Sequence, residues 1–518
     1  MTPQSTPTIA IVGAGIAGLA AAWELVSGAD RSDRVKPDVH VFEASDRVGG
    51  KLRSARFAGR RVDLAADAFL ARRPEATGLC DELGLGDALV PVGASGASVW
   101  ARGALRPMPE GLNLGVPTRW WPLIRSGILG PAESLRVAKD LVSPHPATGT
   151  AEGDRAVGAV VSERLGHPIV ERLTDPLIGG INAGGVDDLS AAATFPQLLV
   201  ASRQSGSLMR RLRGPRPSPL ESATGKPSPM FWSLPDSTAS LADALADALV
   251  QRGATIHTNV SVRAIEQHHG DRSGNTSWHL ALERRGERLE APAVAADAVP
   301  RLQADGVVLA VPAHEAAALL APHAPEAARL LDTIAFASVA VVTLSIPTGA
   351  IRTPLRGTGF LVPRTSTIDG GPAMITGCTY LGRKWPHLAR PEDDLIRVSV
   401  GRFGDTRHRD LGDDELTASA LGELTCLLEI RGDPLDSLVT RWDDGFPQYQ
   451  VGHPSRVASI DQEVAALGGM ALAGAAYQGV GIPACIGSGR VAARRVLASV
   501  PAGADRAACG LAEPEPGP

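Results

Sequence analysis

Lysine is scarce in this chain of 518 residues: Lys36, Lys51, Lys139, Lys226 and Lys384 stand among 51 basic residues, the rest arginine. The net charge is only -5, without the basic stripe that a nucleic-acid binder carries. Aromatic residues are few as well, 3 Tyr and 9 Phe, so platforms for stacking bases are lacking. The five cysteines, Cys80, Cys378, Cys426, Cys485 and Cys509, show no C-x-x-C spacing, which points to a reduced chain without a structural metal. No Lys or Arg precedes the first apolar run at Ile9, so the positive start of a secretory signal is missing. The apolar run from Gly468 to Gly487 holds six glycines, Gln478 and Pro483, a poor spanning helix. We therefore expect a cytoplasmic protein with no transmembrane anchor.

What is present suits a globular chain of two or three domains: 44% hydrophobic and 21% charged residues. "TIAIVGAGIAGLAAAWEL" reads as a short buried strand, then Gly13-x-Gly15-x-x-Gly18, then a helix. Gly13 permits a tight turn, Gly15 lets backbone approach a pyrophosphate, and Gly18 lets helix and strand pack closely. The helix start then offers free N–H groups to phosphate. A second strand, in "VHVFEASDRVGGKLRS", carries Glu43 near its end. That acid accepts hydrogen bonds from ribose hydroxyls and repels a 2'-phosphate, which disfavours NADP. Arg47, Gly49 and Gly50 complete an E-x-x-x-R-x-G-G pattern that resembles the second fingerprint of FAD enzymes of the amine oxidase and protoporphyrinogen oxidase superfamily. An arginine beside a glycine pair is placed to counter pyrophosphate charge.

Further along, "VDLAADAFLARRPE" puts small residues, Ala65 to Ala68, where backbone has room to pass a flat ring. "DSTASLADALADALVQRGATIHTNV" predicts a helix capped by Asp236 or Ser237, a Gly turn and a strand through Ile256. The continuous apolar run in "DGVVLAVPAH" predicts a buried parallel strand. "SVAVVTLSI" and "DLIRVSVGRF" alternate in the manner of strands of another sheet. "LTDPLIGGINAGGVDDLS", Leu173 to Ser190, fits neither helix nor strand, with four glycines and a proline among its apolar residues.

That glycine-rich stretch, "LAGAAYQGVGIPACIGSGRVAA", "FWSLPDSTASLADAL" and "FPQYQVGH", in this order with the two fingerprints, resemble the motifs of the protoporphyrinogen/coproporphyrinogen oxidase family over nearly the whole chain. The resemblance implies α/β plus α+β architecture: an FAD-binding Rossmann-type domain, a mixed-sheet substrate domain and a helical domain. The expected boundaries are 1–75, 231–320 and 441–500 for the discontinuous FAD domain, 76–212 for a helical segment carrying part of the substrate site, and 321–440 for the substrate sheet. A flexible Pro/Ser-rich loop is expected at 213–230 and a disordered tail at 501–518. The implied FAD contacts are Gly13, Ala14, Gly15, Ile16, Ala17 and Gly18, then Glu43, Ala44 and Lys51, then Ala65, Ala66, Asp67 and Ala68. Val260, Trp442, Val480, Gly481 and Ile482 complete the set. The helix beginning at the last triplet would stabilise negative charge on a reduced flavin through its dipole.

This chain has Ala65-Ala66-Asp67 where the family often has Gly-Pro and a charged residue, and Ala97 where eukaryotic members place a substrate-holding arginine. The implied reaction is the six-electron oxidation of a porphyrinogen to a porphyrin, with oxygen reduced to hydrogen peroxide. The arginine-rich composition suggests a high-GC Gram-positive bacterium, and so coproporphyrinogen III ahead of protoporphyrinogen IX. Gly179, Gly180, Ile181 and Asn182 are the candidate wall of the substrate site, and Arg102, Arg106, Arg172 and Arg210 candidate clamps for its propionates. No His/Asp pair or cysteine nucleophile stands at telling spacing, so backbone carbonyls or the flavin itself are the expected proton acceptors. Transient handover of a phototoxic product to ferrochelatase is the partner expected. A flavin amine oxidase is the less favoured reading, because Lys384 is the only lysine beyond Lys226 and Tyr477 has no aromatic neighbour in the C-terminal motif.

Overall fold

Strand β1 (Thr8–Val12) is buried along nearly all its length, since Ile9, Ala10, Ile11 and Val12 have apolar neighbours on both faces. In a computed structural model, which describes residues 6–28, 35–142, 153–214, 229–269, 276–284 and 300–500, β1 lies at the centre of a five-stranded parallel sheet. The order is Thr255–Thr258, β2 (Asp38–Glu43), β1, Gly306–Leu309 and Met470–Leu472. These strands come from three stretches far apart in sequence. Helix α1 (Ile16–Gly28) is rich in Ala and packs closely with the C-terminal helix Ile482–Ser499. Gly489 makes this approach possible, because a Cβ there would stand 2.0 Å from the Ala17 carbonyl oxygen. The helix Ala239–Gln251 covers the same face through Leu241, Leu245 and Leu249. Its N-cap is Thr238, rather than Asp236 or Ser237: the Thr238 amide and hydroxyl are both held by Asp63, which sets where winding begins.

A second, seven-stranded sheet is ordered Asp436–Pro447, Phe336–Pro347, Asp393–Val400, Ile375–Tyr380, Gly359–Leu361, Ser98–Ala101 and Ala104–Pro107. The last two strands lie within the 76–212 segment expected to be helical and to carry part of the substrate site. Val99 and Ala101 alternate inward, and the hairpin extends the sheet by parallel pairing with Gly359–Leu361. The helix Pro325–Asp332 also departs from the expected division, since Ala327, Ala328 and Leu331 pack in the core of the parallel sheet. Helices Trp120–Ser126, Pro131–Val142, Val157–Leu165 and Pro196–Arg203 enclose a separate core with Ile169, Leu173 and Phe195. Most of the expected 213–230 loop and the whole 501–518 tail lie outside the described residues. Among the described residues no helix is long and apolar enough to cross a membrane.

The first part of the stretch that fits neither helix nor strand, Leu173 to Asn182, is helical, and the rest, to Ser190, is turn and isolated bridge. Val170–Gly179 winds as a π-helix, continues as a short α-helix at Gly180–Asn182, and ends where Ala183 turns left-handed at φ 50°. Pro176 lies inside it. Val170, Thr174 and Ile178, four residues apart, are all buried, so apolar spacing of helical period is present; Pro176 and the glycine pair, poor helix formers, conceal it in the sequence.

Candidate active site

The first part of the site is built from backbone. Gly13 adopts φ 101°, donates its N–H to the Phe42 carbonyl at 2.7 Å, and has no room for a side chain: a Cβ would meet the Ala310 oxygen at 2.6 Å. At Gly18 a Cβ would meet the Gly13 oxygen at 1.9 Å. Gly15, between them, has nothing within 4 Å of such a Cβ. This is open space at the carboxyl end of a parallel sheet and at the start of α1, where a pyrophosphate belongs. Gly49 donates to the Ala14 carbonyl at 2.8 Å, and Gly50 lies close enough to Gly15 that its Cβ would stand 3.1 Å from the Gly15 Cα. Arg47 braces this second turn. Its guanidinium donates to the carbonyls of Val48 at 2.9 Å, Gly50 at 2.6 Å and Leu52 at 3.3 Å, so it is engaged within the turn rather than aimed at a phosphate.

The Glu43 carboxylate accepts from the Ala14 N–H at 2.9 Å, and from the Ser45 N–H and hydroxyl at 3.0 and 2.7 Å. Three donors on two oxygens leave acceptor capacity for a hydroxyl. Ala44 is exposed, and Val260 is brought beside this corner because Asn259 donates to the Ser45 carbonyl at 2.8 Å. Lys51 is reached by solvent yet donates to the Gly445 carbonyl, and desolvation lowers its ammonium pKa below the ordinary value.

Beneath Ala65 to Ala68 lies a buried ion cluster. The Asp67 carboxylate accepts from Lys384 Nζ at 3.0 Å and Trp385 Nε1 at 2.9 Å, and stands 3.3 Å from Arg397. The Arg397 and Lys384 cations hold its pKa well below the carboxylate range against the opposing effect of burial. The Asp67 side chain is therefore turned inward, which leaves backbone and the exposed Ala66 to face a cofactor. Its neighbour Asp63 is pushed up to about 7 by burial and by the Asp67 charge. Trp442 Nε1 donates to the Leu64 carbonyl at 3.0 Å, tying the sheet strand Asp436–Pro447 to the same segment. The lysine that would mark an amine oxidase site is thus held in an ion pair.

The C-terminal loop is fixed by residues that the sequence reading passed over. Tyr449 donates its hydroxyl to the Ala475 carbonyl and accepts from the Gly479 N–H at 2.7 Å. His453, stacked on the Tyr449 ring at 4.1 Å, reaches the Tyr477 carbonyl at 3.1 Å, and burial lowers its pKa to about 4. Its ring is neutral at ordinary pH, with Nε2 as donor to that carbonyl. Val480 and Gly481 are thereby presented at the start of Ile482–Ser499, with Gly481 as N-cap and Ile482 buried. "FPQYQVGH" carried the signal for Tyr449 and His453, but spacing could not reveal their partners.

The wall stretch divides by residue. Gly179 and Asn182 are buried, while Gly180 and Ile181 are exposed, Ile181 by 49%. Asn182 donates to the Ile178 carbonyl at 2.8 Å, and its own carbonyl accepts from Gln448 Nε2 at 2.9 Å, which joins the wall to the Tyr449 region. Ala183 packs with Phe403, Trp442 and Phe446. Wall, sheet strand and Ala65–Ala68 segment are thus linked through Trp442.

Three of the four candidate clamps are engaged elsewhere. Arg102 donates to the carbonyls of Gly127 and Leu129, Arg106 to that of Ala101, and Arg172 to Glu133 at 2.7 Å and to the Ile128 carbonyl. Their guanidiniums close loops of the helical core. Arg210 lies in the short helix Leu208–Arg211, where its side chain is exposed.

The open space over Gly15, the helix starts at α1 and Gly481, and the acceptor at Glu43 fit FAD. Residues 16–497 match the family model described as flavin containing amine oxidoreductase. The chain is 31% identical over 491 residues to the coproporphyrinogen III oxidase of Bacillus subtilis, covering 94% of this chain and 97% of that one. It is 34% identical to the coproporphyrinogen III oxidase of Propionibacterium freudenreichii, covering 94% and 90%. A solved protein from Exiguobacterium sp. 255-15, named after protoporphyrinogen oxidase, superposes with a TM-score of 0.79 at 31% identity, over 95% of this chain and 99% of that one.

Proposed function

Because the chain belongs to the flavin containing amine oxidoreductases and, within them, to the family of the coproporphyrinogen III oxidases, we propose that it oxidises coproporphyrinogen III to coproporphyrin III. The observation that carries this reading is identity of 31 to 34% to coproporphyrinogen III oxidases along almost the full length of both partners. Six electrons leave the substrate in three pairs, and oxygen accepts each pair to give hydrogen peroxide. FAD supplies the hydride-accepting centre. The chain supplies position and charge. The Gly13–Gly18 turn and Glu43 hold the nucleotide end, and Val480–Ile482 place the positive end of a helix dipole where negative charge develops. Trp442, Ala65–Ala68 and the exposed Gly180–Ile181 face bound a site for a flat ring. The protons that leave the substrate balance those taken up when oxygen becomes hydrogen peroxide, and backbone carbonyls would orient the pyrrole N–H groups as hydrogen-bond acceptors. We place the reaction in the cytoplasm, and its phototoxic product supports direct handover to ferrochelatase.

Coproporphyrinogen III and protoporphyrinogen IX, offered separately to the FAD-loaded protein under oxygen, test this reading through porphyrin fluorescence and peroxide. Efficient conversion of coproporphyrinogen III is expected. Conversion of protoporphyrinogen IX alone would establish the alternative substrate. An FAD spectrum unbleached by either porphyrinogen without oxygen would remove the catalytic reading altogether.

A further inference from the structure

Arg402 follows the strand Asp393–Val400 and is only 8% exposed, yet no carboxylate or other acceptor is hydrogen-bonded to its buried Nε. The two carboxylates whose fields reach it have other commitments. Asp405 makes a two-pronged pair with Arg407, through contacts of 2.9 and 2.7 Å. Asp175 accepts from the Val186 N–H at 3.1 Å and stands 3.8 Å from Arg364. Arg364, partly exposed, spends one N–H on the Phe403 carbonyl at 3.4 Å and keeps its others beside Arg402 as a second positive charge. A buried cation without a hydrogen-bonded counter-charge is costly, and proteins retain one where a ligand supplies the missing anion.

The position gives this cation its partner. The Phe403 N–H donates to the Ala183 carbonyl at 2.7 Å, which fixes the chain at Arg402 beside the end of the Gly179–Asn182 wall. Arg364 Nη2 lies 3.1 Å from where a Gly185 Cβ would stand, so the glycine leaves room for the guanidinium at the rim of the same wall. Phe403 itself packs with Trp442 and Ala183. An apolar ring surface is therefore flanked by two arginines, one inner and one outer.

We propose that Arg402 and Arg364 form a carboxylate-binding site beside the glycine-rich wall that anchors a propionate of the tetrapyrrole, Arg402 as the inner, desolvated donor and Arg364 as the outer one. This rests on the reading of the chain as a porphyrinogen oxidase. Arg402 is a binding residue, and its planar fork pairs with a carboxylate through two parallel N–H donors. A tetrapyrrole with more carboxylates than two gains from an inner site that is always charged. An esterified propionate has no charge to offer it.

The test compares coproporphyrin III with its tetramethyl ester as probes of the FAD-loaded parent and of Arg402→Gln, Arg402→Lys and Arg364→Gln. Binding is read by fluorescence, and KM and kcat are measured with coproporphyrinogen III. Arg402→Gln is expected to weaken the free acid about tenfold or more, the range of a hydrogen bond to a charged group, and to raise KM far more than it lowers kcat. Arg402→Lys should recover part of the loss, and ester binding should stay as in the parent. Equal weakening of acid and ester, or no weakening of the acid, overturns the proposal. Should Arg402→Gln fail to retain FAD, Arg364→Gln decides, with an expected loss of about threefold for the acid alone, typical of a partly exposed charge. No loss in that variant overturns the proposal. A parent protein that converts no porphyrinogen defeats the underlying reading instead.

Discussion

At Gly18 an added methyl group strikes the Gly13 carbonyl at 1.9 Å, whereas at Gly180 it meets nothing nearer than a Leu361 methyl at 3.8 Å. The nucleotide turn uses its glycines to bring backbone against backbone, with one opening at Gly15. The wall uses glycines in two ways within two residues: Gly179 packs against the Gly184 carbonyl, and Gly180 lies bare. In the first region shape is set by steric exclusion. In the second it is set by bonds from neighbouring segments, Gln448 to the Asn182 carbonyl and Phe403 to the Ala183 carbonyl.

Gly18→Val should break the first region most severely. Its new methyl groups have backbone on one side and the Ala310 Cβ on the other, so a loss beyond about 5 kcal/mol and no recoverable FAD-bound protein are expected. Gly15→Ala, by contrast, should leave the melting temperature of FAD-free protein unchanged while weakening FAD binding. Undiminished FAD affinity in that variant would show that the pyrophosphate does not pass over Gly15.

The ion cluster between the two regions gives the next effect. Asp67→Asn leaves Lys384 and Arg397 without their buried counter-charge and should cost about 3 to 5 kcal/mol by chemical denaturation. In the parent the depressed Asp67 pKa means that this stabilisation is present above the ordinary carboxylate pKa and is lost only as pH falls through the lower, folded-state value. A variant as stable as the parent would detach the cluster from the fold.

Asp63 has the opposite sign. Its folded-state pKa of about 7 lies above the ordinary carboxylate value, so ionisation opposes folding, and the penalty grows as pH rises from that ordinary value to about 7. Asp63→Asn keeps the oxygen that accepts from Thr238 and removes the charge. Its stability relative to the parent should therefore rise between pH 5 and pH 8 by on the order of 2 kcal/mol, at about 1.4 kcal/mol per pKa unit. Thermal melts at both pH values check this, and a difference independent of pH refutes it.

The smallest effects lie in the wall. Gly179→Ala should cost about 1 to 2 kcal/mol, because its methyl group meets the Gly184 oxygen at 2.6 Å. Gly180→Ala should change stability by less than about 0.5 kcal/mol. Gly180→Leu should lower turnover while FAD is retained. Loss of FAD before activity in Gly180→Leu would put this stretch on the cofactor side of the site.

The nucleotide end was legible because its constraints are local. Gly13, Gly15, Gly18, Gly49 and Gly50 act within a few residues of one another or on an adjacent strand, so spacing alone predicts their geometry. Glu43 was legible as an acceptor, but not its bond to the Ala14 N–H. The wall was legible only as an anomaly, since an internal proline and four glycines argue against the helix that its apolar spacing supports. Three of the four candidate clamps, Arg102, Arg106 and Arg172, donate to backbone carbonyls, and sequence spacing does not distinguish a guanidinium that finds a carbonyl from one that does not.

By itself, then, the amino-acid order determined the parallel nucleotide-binding sheet, the glycine turns and the class of cofactor, for these follow from steric limits on neighbouring residues and from buried apolar runs. Tertiary structure alone decided that Asp67 turns inward to Lys384 and Arg397, that Tyr449 and His453 hold the C-terminal loop, and that the buried Nε of Arg402 finds no acceptor. Each depends on groups dozens to hundreds of residues apart meeting away from water. There charge and hydrogen bonding are strong, and no local pattern records them.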